Sequence, residues 1–204
     1  MKKMVCFFTL ISFTFLLIGC TNETEKVESP SPPSIQSPLV IKNNEQEFKI
    51  INYYQEYLDF LNEAKKQPND LEELYKQTVL AALRDDGFGY EETKSWTFSR
   101  PKDIESMKEY IDSLIDKQDL INETIIEALK KSADELPGGD KKVYVVPANP
   151  DFTAAMSEMN YVTGFTLNKN TILIVIDPSF EKEDLEYTVA HEYHHAIYMA
   201  IDKA

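Results

Sequence analysis

The sequence predicts an α+β fold in which helices come first, a small, mainly antiparallel sheet follows, and a final helix lies on that sheet. Two changes of pattern in the 204-residue chain indicate this order. Apolar residues recur at helical spacing over residues 46–136, and a Pro-Gly-Gly sequence at 137–139 then stops helix formation. Residues 141–204 begin with segments rich in Val, Ile, Tyr and Thr, as strands are, and end in a helical pattern. The predicted domain therefore covers residues 46–204.

The first 20 residues predict a lipoprotein signal peptide. Lys2 and Lys3 precede an apolar run over residues 4–18, which is too short for a comfortable membrane span and suits a signal peptide. The run ends in Leu-Ile-Gly-Cys20, which resembles the bacterial lipobox, a motif whose cysteine is lipidated before cleavage. The alternative is an uncleaved anchor with an incidental cysteine. Both interpretations place the domain on the extracytoplasmic face of the cell membrane. The lipobox interpretation is the prediction, and it makes Cys20 the expected site of lipidation.

Residues 21–45 predict a tether between the membrane and the domain. Four prolines fall between Pro30 and Pro38, and this density excludes a helix and favours an extended chain. At roughly 3 Å per residue, such a segment holds a domain several tens of ångströms from a bilayer.

Four helices are predicted ahead of the sheet. Their apolar stripes occupy residues 47–67, 71–83, 104–115 and 121–129. The aromatic and aliphatic residues at this spacing are interpreted as core. Trp96, in the irregular segment between the second and third helices, is expected to pack, with a place in a substrate cleft as the alternative.

Three short strands follow. Residues 143–147 form the first, and residues 161–167 and 171–176 form a hairpin about an Asn-Lys-Asn turn. The second arm of the hairpin is apolar throughout, as expected of a strand buried on both faces. Acidic residues at 181, 183 and 184 favour the start of the last helix just after it.

The last predicted helix carries His191-Glu192-Tyr193-His194-His195. Positions i and i+4 lie on one helical face, so His191 and His195 can direct two imidazoles at one Zn²⁺ ion. Glu192 is rotated about 100° from His191 and can reach a water on that ion, the arrangement of H-E-x-x-H zinc peptidases. The alternative is a surface helix with three incidental histidines. The chain has three histidines in all, and this pentad contains every one of them.

Together these segments resemble the bacterial family of predicted Zn-dependent proteases, which is zincin-like. The resemblance rests on the Val-Tyr-Val-Val-Pro strand at 143–147, the hairpin around Gly164, the Ile-Leu-Ile-Val-Ile-Asp-Pro segment at 172–178, and Ala190-His-Glu-Tyr-His-His195. It implies a gluzincin site in which a glutamate from a later helix is the third ligand. It also implies a strand that pairs with an extended peptide beside the cleft. The Gly164 arm is the candidate for that strand, with a plain structural hairpin as the alternative.

The third zinc ligand is missing from the sequence pattern, although catalytic zinc sites commonly use three protein ligands. Asp184 and Asp202 share the histidine face but lie about 10 Å along the helix axis from the nearer histidine, too far to ligate. Asp177, at the end of the last strand, is the first upstream carboxylate to consider. We therefore expect a chain that stops after its active-site helix, without the C-terminal part of the domain, and a peptidase that is weak or inactive.

Two functions remain at this point. The first is a membrane-tethered, extracytoplasmic zinc peptidase that cuts peptide or protein substrates with Glu192 as general base. The second is a non-catalytic surface lipoprotein or a remnant of such a protease. The net charge of −14 gives no attraction to nucleic acid, so no nucleic-acid partner is expected. The two cysteines, Cys6 and Cys20, provide no disulfide framework.

Overall fold

Five strands form a single mixed sheet. They are β1 (Leu39–Asn43), β2 (Gln46–Asn52), β3 (Lys141–Pro147), β4 (Val162–Asn168) and β5 (Thr171–Ile176), in the spatial order β1-β2-β3-β5-β4. The central strands β2, β3 and β5 are parallel, whereas β1 and β4 pair antiparallel to their neighbours at the two edges. The fold is α+β as predicted, but the prediction of a mainly antiparallel sheet was wrong, because β3 pairs parallel both with β5 and with β2, a strand ahead of the helices that had not been recognised.

The computed structural model describes residues 34–89 and 93–201. The predicted signal peptide, Cys20 and most of the predicted tether lie outside these residues. The described residues belong to one compact unit that begins at Pro33, so the helical part and the sheet share a core. None of the helices in the described part of the chain has the length and the apolar character that a membrane span requires.

The hairpin of β1 and β2 replaces the beginning of the predicted first helix. Burial alternates along β2, with Phe48 and Ile50 inside and Glu47 exposed, which is the period of a strand. Asn44 turns the chain between the two strands with a φ of 56°, a conformation that Asn tolerates better than most residues. The ordered fold therefore includes residues 39–43, which the sequence had assigned to the tether.

Seven helices lie in the described part of the chain. They are α1 (Tyr54–Lys66), α2 (Leu71–Gln77), α3 (Val79–Asp85), α4 (Ile104–Asp116), α5 (Gln118–Glu135), α6 (Thr153–Ser157) and α7 (Lys182–Ile201), with 3₁₀ turns at Trp96–Phe98 and Pro150–Phe152. The predicted second helix is divided into α2 and α3 at Thr78, whose hydroxyl donates to the carbonyl of Leu74 at 2.8 Å. Such back-bonding bends helices. Trp96 is half-buried and packs against Phe152, with ring centroids 5.4 Å apart.

The last helix, α7, packs against α5 and across β4 and β5. The residues of β5 from Ile172 to Ile176 are all buried, in agreement with an interior strand covered on both faces. By contrast, β4 lies at the edge of the sheet, where one side of its backbone has no partner among the described strands. This arrangement places the beginning of α7 beside an open strand edge.

Candidate metal centre and adjoining cavity

The two histidines of the predicted metal pair meet on the exposed face of α7. The Nε2 atoms of His191 and His195 are 3.0 Å apart, and both side chains are exposed. The helix forms here because Leu185, Val189 and Ile197 recur at helical spacing on its buried side, which leaves the histidines on the other. Tyr187, one turn earlier, stacks on the His191 ring with centroids 5.8 Å apart.

The spacing of these nitrogens suits a shared metal ion. Two ligands about 2.0–2.1 Å from a tetrahedral zinc ion are separated by roughly 3.3 Å. The observed 3.0 Å between Nε2 of His191 and Nε2 of His195 is close to this value. Both nitrogens belong to neutral imidazoles when they bind a metal, and zinc is a common partner for them. The pair therefore fits zinc as two of its ligands.

Glu192 is buried between α7 and β4, with 7 % of its surface exposed. The hydroxyl of Thr166 lies 2.7 Å from Oε2 of Glu192, to which it can donate, and 2.9 Å from the Glu192 backbone carbonyl. This contact holds one carboxylate oxygen against the strand. Thr166 was not identified from the sequence, because a single threonine in a strand gives no signal of the helix that packs on it.

Gly164 allows the close approach of β4 and α7. A Cβ at this position would overlap Cγ of Glu192 and would lie 2.9 Å from Cγ2 of Thr188. Any other residue would have to displace the Glu192 side chain or the strand. The glycine of the predicted hairpin thus lies against the predicted catalytic glutamate.

A cavity of about 380 Å³ opens next to the histidine pair, between the beginning of β4 and the first half of α7. Its walls include Asn160, Val162 and Gly164 on the strand side, and Asp184, His191 and Glu192 on the helix side. Two carboxylates therefore line the cavity, and no Lys or Arg does so among the described residues. Because this cavity adjoins His191 and Glu192, it is the natural place for a substrate group.

His194 lies apart from the pair. It is half-buried and lines a different cavity of about 310 Å³ between α5 and α7. Its neighbour Tyr193 is buried, donates its hydroxyl to the carbonyl of Leu136 at 3.0 Å, and accepts a bond from Gln46 at 3.3 Å. The pentad therefore combines the two exposed imidazoles with a residue that fixes α7 to the core.

The described residues provide no third protein ligand. They contain no group of three His, Cys, Asp or Glu side chains that could hold a metal ion. Asp177 is buried at the end of β5, where Oδ1 accepts from the amide of Ser179 at 2.9 Å and its own amide donates to Tyr161, just before β4. Asp184 accepts from the Asn160 amide at 3.1 Å. Asp202 lies outside the described residues.

Of the comparisons with known proteins, one gives a match, and it covers the part of the chain that contains the histidine pair. No curated protein and no solved structure matches the sequence. Residues 121–203, which contain most of α5, the strands β3 to β5 and the histidine pair on α7, match the model of a family described as "Predicted Zn-dependent protease".

Proposed function

We propose that this protein is a zinc-dependent peptidase whose reaction centre consists of His191, His195 and Glu192. The observation that carries the proposal is the 3.0 Å separation between Nε2 of His191 and Nε2 of His195. Glu192, the residue after His191, has its carboxylate at the adjacent cavity. The family match over residues 121–203 supports the same class of reaction.

His191 and His195 would hold the metal ion, and Glu192 would act as general base. A zinc ion bound there would supply Lewis acidity toward a bound water and a peptide carbonyl. Glu192 takes a proton from the attacking water and delivers it to the leaving amine. Because Thr166 binds Oε2 of Glu192, the hydroxyl fixes the carboxylate while Oε1 stays available for the water.

The open edge of β4 would bind the substrate. An extended peptide can add to an exposed strand by main-chain hydrogen bonds, which orient it without demanding one sequence. The edge of β4 runs beside Glu192 through Gly164 and Thr166, so a peptide paired with it would pass the reaction centre. The Gly164 arm is thus the proposed substrate strand.

The shortage of ligands favours a second candidate, a non-catalytic surface lipoprotein. Two imidazoles leave more metal positions to water than the three protein ligands that catalytic zinc sites commonly have. Weak metal retention and a poorly fixed water would follow, and the base could not work at full effect. The presence or absence of cleavage separates the two candidates.

The test uses the purified protein with zinc, a set of unstructured peptides, and four variants. We expect His191→Ala and His195→Ala to lose bound zinc, and His194→Ala to keep it, since His194 lies on another face. Glu192→Gln should keep zinc and lose most of whatever cleavage the protein shows, because it removes the base and leaves both imidazoles.

Metal content and peptide cleavage by mass spectrometry are the two measurements. Equal zinc loss in His194→Ala and His195→Ala would contradict the proposed pair. Zinc binding without any cleavage would favour the non-catalytic candidate, and full cleavage by Glu192→Gln would exclude the proposed base.

A further inference from the structure

The cavity beside the reaction centre is acidic and has no cation of its own. Asp184 and Glu192 both line it, and every lining residue is neutral, acidic or histidine. The nearest lysine in sequence, Lys182, is engaged elsewhere, with Nζ 3.1 Å from a carboxylate oxygen of Glu127 on α5. The negative charge in the cavity is therefore not neutralised by the described side chains.

Asp184 lines the cavity and has one carboxylate oxygen bound within the protein. Its Oδ1 accepts a hydrogen bond from the side-chain amide of Asn160 at 3.1 Å, and its Oδ2 has no hydrogen-bond partner among the described residues. The side chain is half-buried, so an ion pair formed there would be less exposed to solvent than one on the open surface. Oδ2 is therefore available as an acceptor for a cation at this cavity.

The backbone next to Asp184 is unusual. Asn160 and Tyr161 have φ angles of 53° and 64°, and two consecutive non-glycine residues in this region are uncommon. Strain of this kind persists where surrounding structure imposes it, often at ligand sites. Here it turns the chain into β4, and the amide of Asn160 reaches Asp184.

We infer that Asp184 is a specificity residue that selects peptides with a lysine or arginine side chain near the bond to be cut. The inference rests on the proposed function, because it takes the cavity as a substrate subsite beside His191 and Glu192. Side chains of an extended peptide alternate between the two faces of a sheet. Every second side chain of a peptide paired with β4 would therefore face α7, and one of these can enter the cavity and meet Asp184.

The position of the basic residue follows from the helix. Asp184 precedes His191 by seven residues, which is about 10 Å along the axis of α7. A strand advances about 3.3 Å per residue, so the basic side chain belongs to a residue within about three positions of the bond cut. The net charge of −14 adds a long-range attraction for cationic peptides.

The experiment measures peptide binding, so it does not depend on turnover. Blocked alanine hexapeptides carry one lysine at each of the six positions in turn, and a matched set carries norleucine, a neutral side chain of similar length. Dissociation constants are measured by calorimetry for the zinc-loaded wild type, for Asp184→Asn and for Glu183→Gln. The last is the matched control, since it removes the same charge from an exposed acid that lines the other cavity.

For at least one position, we expect the wild type to bind the lysine peptide about fivefold or more tightly than its norleucine counterpart. The ratio of the norleucine to the lysine dissociation constant should fall to about one in Asp184→Asn and should stay as in the wild type in Glu183→Gln. Equal affinity of both sets for the wild type, no measurable binding of either, or a preference that survives Asp184→Asn would each overturn the inference.

Cleavage of the same peptides is followed separately by mass spectrometry. An Asp184-dependent preference for lysine without cleavage would support the subsite and reject the peptidase. Cleavage with no discrimination between lysine and norleucine would support the peptidase and reject the subsite.

Discussion

At the scale of single residues, Lys141 shows how the interior supports α7, the helix that carries the histidine pair. The first residue of β3 is 1 % exposed, and its ammonium donates to the carbonyl oxygens of Gly138 and Gly139, the latter at 3.1 Å. The same nitrogen lies 5.2 Å from the centre of the Tyr193 ring on α7. Burial lowers the pKa of Lys141 to about 8, against an ordinary value of 10.5, although the carboxylate of Asp140 acts in the opposite direction.

This pKa predicts how stability depends on pH. Between about pH 8 and pH 10.5 the unfolded chain holds the Lys141 proton and the folded chain has released it, so the contribution of Lys141 to stability rises with pH. The free energy of unfolding of wild type minus that of Lys141→Met should therefore increase from pH 8 to pH 10. The slope should not exceed about 1.4 kcal/mol per pH unit.

Urea denaturation of wild type and Lys141→Met at several pH values measures this difference in the free energy of unfolding. Taking the difference removes the contribution of the titratable groups that both proteins contain. A difference that stays constant from pH 8 to pH 10 would contradict the lowered pKa.

At the scale of elements, the contact between β4 and α7 organises the site. Gly164 removes the Cβ that would overlap Cγ of Glu192, and Thr166 supplies the hydroxyl that the carboxylate accepts from. Gly164 and Thr166 are two positions apart in β4, so both lie on the face of the strand that meets the helix. The strand thus determines where the base of the proposed reaction lies.

Gly164→Ala should therefore separate strand and helix. We expect a loss of about 1–3 kcal/mol in the free energy of unfolding, typical of overpacking, because the added methyl group meets Glu192 near the middle of its side chain. Any cleavage should fall as well, since the carboxylate moves. Lys169→Ala, at an exposed position in the turn after β4, is the control and should change stability by less than about 0.5 kcal/mol. Wild-type stability in Gly164→Ala would show that the helix can shift at little cost.

Sequence patterns predicted some elements and missed others for identifiable reasons. The helix with the histidine pair follows from a long run without Gly or Pro, and the hairpin of β4 and β5 follows from two strand-like segments about an Asn-Lys-Asn turn; both are present. The strand β2 was assigned to a helix because Phe48 and Ile51 also fit a helical stripe that continues into α1. The alternation of Phe48 and Ile50, and the turn-forming Asn44 before them, were the signals for a strand.

The candidate site was predictable only where its residues are close together in the sequence. His191, Glu192 and His195 follow from one helical turn, whereas Thr166, Asn160 and Asp184 enter the site through packing between β4 and α7. The pattern of apolar residues along the sequence does not predict such a contact, because the contact depends on how closely β4 and α7 pack. The same limit applies to the third metal ligand, which neither the pattern nor the described residues supply.

At the scale of the whole molecule, the N-terminal segment is fixed to the domain earlier than the sequence predicted. The amide of Gln36 donates to the Gln118 side chain at 2.9 Å, and that side chain donates to the carbonyl of Ser34 at 2.9 Å. Asn52 donates to the Gln36 carbonyl at 3.1 Å. If Cys20 is the lipidated residue, the link from it to Ser34 spans at most about 50 Å, which would keep the domain close to a membrane.

We predict that Cys20 carries the lipid, and Cys6, the other cysteine of the chain, provides the control. Cys20→Ser should abolish incorporation of labelled fatty acid in the native host and move the protein from the membrane fraction to the soluble fraction, because it removes the acceptor thiol. Cys6→Ser changes the other cysteine, which lies inside the apolar run, and should leave both measurements as in the wild type. Label uptake that persists in Cys20→Ser would show that another residue carries the lipid. Membrane retention without label would show that an uncleaved apolar anchor holds the protein there.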